Sequence, residues 1–213
     1  KSRAGWLYFE KGEQDQQKHE AEERSNSRVV KDVPPHGVGA NTGQLQALSA
    51  LRSLLAHRGE ARTLDELLAL SGVAFQFVFG RQADGGRGTF TDNPFETVAD
   101  DLGFACNVWS SQDAEQAFAS VHQALLQGHP VIILYDAAPI SWVIVTGYDL
   151  TSGSVHFMPP GRQQYATAAK ETFLSRWASS SRGVTMPMAP GPFYQFSLAA
   201  RLRKPKRSWI ISC

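Results

Sequence analysis

Leu45, Leu48, Leu51, Leu54 and Leu55 recur at helical spacing and share one face, which predicts a helix. Asn41 or Thr42 can cap its start, and Gly59 ends it. Thr63-Leu64-Asp65-Glu66 reads as a capping box for a second, short helix through Leu70. Asn93 to Leu102 predicts another short helix. Asp113 to Gln127 predicts a longer one, with Phe118, Val121 and Leu125 inward and Gly128 and Pro130 as its stop. Val131 to Tyr135 and Trp142 to Tyr148 are buried-type apolar runs of strand length, joined by a short Pro-containing loop. Thr151-Ser152-Gly153 is a hairpin turn into a further strand, Val155 to Met158. Ser71 to Gly80 and Phe104 to Trp109 look extended, Glu171 to Trp177 is a helix turn or two, and Phe193 to Ile211 can add a strand. Helices come first and an antiparallel meander follows, an α+β arrangement.

Polar segments divide the chain. Residues 10–32 are dense in charge and hold almost no large apolar side chain before Val29, as in a solvated helix or a disordered arm. The organisation expected is a charged N-terminal arm over 1–33 and one domain over 34–213. The aromatic knot Gly5 to Phe9, with Trp6 and Tyr8, reads as an arm docked on the body or as an interface. Val33 to Gly43 and Ala83 to Gly88 are Gly-rich loops.

Composition narrows the function classes. The 213 residues are 42% hydrophobic, enough for a core, and the net charge is +1. No overall field argues for nucleic acid or a membrane surface, and the expected partner set excludes both. No apolar run approaches the ~20 residues of a membrane helix, and no signal-peptide pattern is present. The chain opens on Lys1 rather than Met, which leaves room for an upstream segment; cytoplasmic and secreted settings both stay open. Two cysteines, Cys106 and Cys213, cannot form a metal-ligand set. No metal and no cofactor is expected. A disulfide between them and a reduced pair are both open, and Cys106 reads as a small buried core residue. The basic cluster from Arg201 to Arg207 reads as a solvated edge rather than a contact for an acidic partner.

A thiol peptidase needs a thiolate at a helix N-terminus, an imidazole from a second element and a group that orients the imidazole. Four motifs bear on this: Asn41-Thr42-Gly43-Gln44 before the leucine helix, Ser141-Trp142-Val143-Ile144-Val145-Thr146-Gly147-Tyr148-Asp149, Met158-Pro159, and Phe173 to Trp177. In them the chain resembles papain-like peptidases of the bacteriocin-processing type and their butirosin-type acyltransferase relatives. The resemblance covers about residues 35–180. Leu67 to Phe79 resembles the acyltransferase branch in particular. It implies a papain-like cysteine-peptidase fold, with N-terminal helices packed on an antiparallel sheet.

The resemblance also places the family's Cys, His and Asp at Gly43, Ser141 and Met158. None of these side chains can do the corresponding chemistry: a hydroxyl is not basic near neutral pH, and a glycine offers no nucleophile. The oxyanion-hole Gln falls near Gly37 and is absent too. The implied protein is a catalytically inactive domain whose former cleft binds a peptide or protein partner. The alternative is an active peptidase or acyltransferase, in a bacterial effector or toxin setting, whose catalytic residues lie in another register or have been altered. Cleft candidates are His36, Asn41, Gln44, Trp142 and His156. His57, His129, Asp136, Asp149 and the Asp100-Asp101 pair read as structural.

Overall fold

The computed structural model describes residues 26–37, 43–72, 94–136, 140–180 and 193–201. The leucine helix is α1, Gly43–His57, with Leu48, Leu51, Leu54 and Leu55 buried. Gly59, at φ +77°, closes it: its amide donates to Ala56 O at 2.9 Å and that of Glu60 to Leu55 O at 2.9 Å, a Schellman pair. The short helix α2, Leu64–Leu70, begins with the expected capping box. Glu66 N donates to Thr63 Oγ1 at 3.2 Å, and Thr63 N donates back to Glu66 Oε2 at 2.8 Å. The next helix is α3, Pro94–Leu102. α4, Ala114–Leu126, is capped by the Asp113 carboxylate and closed by Gly128 and His129 in a second Schellman pair. The last described helix is α5, Lys170–Ser180.

The strands are β1 Ser27–Val29, β2 Phe104–Ser111, β3 Val131–Asp136, β4 Ile140–Asp149, β5 Ser154–Met158, β6 Ala166–Ala169 and β7 Phe193–Arg201. They form one sheet in the order β2-β7-β3-β4-β5-β6, with β1 added to β4. Every pairing is antiparallel. The expected meander is β3 to β5; β6 continues it on one side, and β7 and β2 extend it beyond β3.

Helices cover both faces, which is why β3 and β4 read as unbroken apolar runs. Residues directly opposite in an antiparallel pair share a face. On one face Trp142 and Phe196 meet Phe95 of α3, at ring distances of 5.4 and 4.8 Å, and α1 packs on β4, β7 and α3. On the other face Tyr135 and Phe157 meet Phe173 of α5, at 5.1 and 5.6 Å. There Gln195 Nε2 also donates to Ser120 Oγ of α4, and Tyr148 lies edge-on to His122. The expectation of N-terminal helices on a sheet therefore describes one face; α4 and α5 supply the other.

Two strands depart from expectation. β1 falls in the charged segment assigned to the arm. Its three residues are exposed, but they pair with Asp149, Tyr148 and Gly147 of β4. Val30 and Val33 are buried behind it. Residues 27–33 of the charged segment thus lie against the sheet. β6 is a short run of small residues that carried no strand signal. Of the extended-looking Ser71 to Gly80, only Ser71 and Gly72 lie among the described residues, and the aromatic knot near the N-terminus lies outside them.

Gly147 has to be glycine for β1 to pair. A Cβ there would lie 2.5 Å from Arg28 O and 3.0 Å from Val29 Cα. Gly147→Ala is expected to unpair β1 and cost about 1–2 kcal/mol, within the range for overpacking. The check is amide exchange at Val30, whose N–H donates to Thr146 O at 2.6 Å. Unchanged protection at Val30 would refute the close approach.

Candidate functional site

Gly43, where the resemblance puts a thiolate, is the first residue of α1. Asn41 lies outside the described residues, and Gln44 is described only as backbone of the first helical turn.

Ser141 is buried and stands opposite Tyr135. It therefore shares the face that carries α5. Tyr135 is also buried, and its hydroxyl is hydrogen-bonded by Arg176; burial raises its pKa and Arg176 opposes the rise. Beside it the Ser179 hydroxyl donates to Asp136 Oδ2 at 3.0 Å, which gives Asp136 a structural partner.

Met158 does not come beside Ser141. It pairs with Ile144, three residues further along β4, and so lies on the opposite face, with Trp142. The cause is the register: β4 carries an extra residue at Thr146, between the pairs Val145–Phe157 and Gly147–His156. Continuing that ladder past Met158 brings the turn at Pro160-Gly161 abreast of Ser141.

What does gather at this end of the sheet is the segment before α1. His36 is fully buried. Its Nε2 donates to Trp142 O at 2.8 Å, across 106 residues of chain. Its carbonyl accepts from Gly161 N at 2.7 Å. The next residue, Gly37, has φ +75° and donates its N–H to Ser49 Oγ of α1 at 2.7 Å. A Cβ on Gly37 would collide with the Pro160 side chain. Ser53 Oγ of α1 holds Pro35 O at 3.1 Å. The site is thus a junction of β4, α1 and the turn after β5, tied by His36 and Gly37. Burial holds the His36 imidazole below its usual pKa, partly offset by the Trp142 carbonyl. Its Nδ1 is buried and has no hydrogen-bond partner among the described residues.

The other candidates separate from this junction. The Trp142 ring is a core group packed on Phe95, and only its carbonyl joins the site. His156 stands opposite Gly147, at the middle of β5, with Nδ1 at 3.1 Å from Thr167 Oγ1. His57 Nδ1 lies 3.4 Å from Asp32 O near the end of α1. His129 is held below its usual pKa by burial and then by the Arg58 charge. The Asp149 carboxylate accepts from Thr151 N and Ser152 N and shapes the turn before β5. Cys106 is a free thiol on β2, pushed up to about 11 by burial, Glu96 and Asp100. Among the described residues no group of three acidic, His or Cys side chains is placed to hold a metal. Among them, too, no helix is long and apolar enough to cross a membrane.

Ser49, Pro160 and Gly161 did not stand out in the sequence, and Gly37 was named only as the place near which an oxyanion-hole Gln would fall. The one signal was local: a His-Gly pair before the helix and a Pro-Pro-Gly turn after the strand.

This α+β fold, with helices on both faces of one antiparallel sheet, is of papain-like type. The sequence model of the Peptidase_C39 like family matches residues 44–184, and the chain belongs to that family. Its fold is similar to that of a Bacillus anthracis protein assigned to the C39-like peptidases, at 15% identity and a TM-score of 0.56, over 83% of this chain and 99% of that one. The peptidase domain of Streptococcus ComA, a bifunctional ABC transporter involved in quorum sensing, aligns over 81% of this chain and 97% of its own, at 14% identity and a TM-score of 0.45. No curated protein matches the chain.

Proposed function

We propose that this C39-like domain binds a peptide or protein segment at its former active-site cleft and does not cleave it. The observation that carries the reading is Gly43 at the first residue of α1. A papain-type reaction needs a thiolate there, and removing the nucleophile removes the covalent route. Two further observations support it. Ser141, at the position of the base, is a buried hydroxyl that cannot take a proton from a thiol. Cys106 sits on β2, with its thiol pushed up to about 11. A cleft without a nucleophile still offers an extended peptide a sheet end and backbone groups to bind.

The test is an electrophilic probe with the adduct mapped by mass spectrometry. A thiol raised from its usual value near 9 to about 11 holds roughly 100-fold less thiolate at pH 7.5. Iodoacetamide is therefore expected to label Cys106 about 100-fold more slowly than a free cysteine, with no turnover of a peptide library. Rapid labelling of Cys106, abolished by a His→Ala change, would overturn the reading in favour of an active enzyme.

A further inference from the structure

We propose that residues 27–37 form a pH-sensitive strap, latched by neutral His36 over the end of the sheet beside Ser141, which opens when the imidazole is protonated. The strap is tied at intervals. β1 pairs with β4, and Val30 N donates to Thr146 O. Pro35 and Gly37 are held by Ser53 and Ser49 of α1. His36 is the innermost tie, with one bond to β4 through its ring and one to the turn after β5 through its carbonyl. From residue 30 to 37 the strap has no regular structure, and its buried apolar side chains are Val30 and Val33. Few apolar contacts and single hydrogen bonds make it an element that opens below the cost of global unfolding.

The neutral ring fits this place and the cation does not. Neutral His36 spends its one N–H on Trp142 O and leaves Nδ1 as a bare acceptor. Protonation adds an N–H at Nδ1 that has no acceptor among the described residues, and a charge in a site closed to solvent. Among the described residues no counter-charge offsets this. Burial and the Trp142 carbonyl act on the ring. Lys31 and Asp32 of the strap, Arg52 and His57 of α1, and Arg162 of the turn do not figure among those influences. The latched form therefore takes up its proton at lower pH than the open form. Below the ordinary imidazole value near 6.5 the open strap binds more protons, so the latch weakens as pH falls and is at full strength above that value.

Opening would uncover the Trp142 and Gly161 backbone beside Ser141. In that respect the latch rests on the binding site proposed above. The test needs no ligand, so the two readings fail separately. Amide exchange of the full chain, corrected for intrinsic rates, is compared at pH 7.5 and 5.0. Protection at Val30 and Gly37 is expected to fall at pH 5.0 by up to about 30-fold, the limit for one linked proton over 1.5 pH units. Amides of β3 and β4 near Ile133 and Val143 should keep theirs. In His36→Gln, which retains a donor and cannot titrate, the strap should stay protected at both values. Unchanged strap protection in the wild-type protein, loss of the core together with the strap, or a pH response kept by His36→Gln each sinks the latch. Should His36→Gln fail to fold, an NMR titration of the unaltered protein decides. The His36 midpoint must lie below 6.5, and the strap must open in step with it; separate midpoints overturn the proposal.

Discussion

Phe173→Ala is expected to remove about 3–5 kcal/mol of folding stability, the range for truncating a buried aromatic side chain. Phe173 is fully buried at the centre of the face that α5 covers. Its ring stacks on Tyr135 at 5.1 Å and meets Phe157 at 5.6 Å and Trp177 at 6.2 Å. One substitution thus empties the space where β3, β5 and α5 converge, and each aromatic pair adds to the loss from burial alone. A domain of this size has roughly 5–15 kcal/mol to lose, so the variant is expected to be marginal at 37 °C. The measure is the urea midpoint at constant m-value. A loss below about 1 kcal/mol means that the aromatic cluster does not seat α5. Phe173→Leu, which refills most of the space, should cost about half as much or less.

The consequence reaches the site, because Ser141 shares that face through its pairing with Tyr135. In the sequence, Phe173 and Trp177 were visible as a helical pair and Tyr135 as a strand residue. That they meet follows from sheet order and register, which periodicity does not encode.

The same distinction runs through the whole molecule. α1, α4, β3 and β4 were legible because their apolar positions repeat or run on, and because capping residues such as Thr63 and Asp113 carry their own geometry. β1 was not legible. Ser27, Arg28 and Val29 are exposed, and they are held by backbone pairing to β4 at a glycine that lets them approach. Backbone pairing leaves no apolar pattern. Ala166 to Ala169 sets one β-branched residue, Thr167, among three alanines and holds no aromatic one, so β6 was silent too. The site divides likewise. Gly43 at a helix start and Ser141 on a strand could be placed by motif. The register slip at Thr146, which puts Met158 on the face opposite Ser141, could not, because one extra residue in a strand reads the same whether it bulges or pairs. His36 was visible as a histidine ahead of the helix. Its bond to Trp142 O spans 106 residues, and no local rule gives it.

Gly37→Ala is expected to cost about 3 kcal/mol and to loosen His36 from Trp142 O. Two independent terms add. Gly37 has φ +75°, and placing an L side chain in the left-handed region costs roughly 1–2 kcal/mol. In addition, the new Cβ collides with Pro160 Cβ and lies 2.9 Å from its Cα. Neither atom can swing aside, because the ring fixes one to the other and Gly161 N is bonded back to His36 O. Relief requires the turn after β5 to move away from the strap, at the overpacking cost of about 1–3 kcal/mol. Gly59→Ala separates the terms. Gly59 has nearly the same backbone, φ +77°, and nothing within 4 Å of its Cβ position. It should lose the conformational term alone, and the difference between the two variants then measures the contact of strap and turn. Equal losses would mean that Pro160 does not press on Gly37. A larger loss at Gly37, with strap amides exchanging faster at neutral pH, places that contact in the same junction that His36 holds.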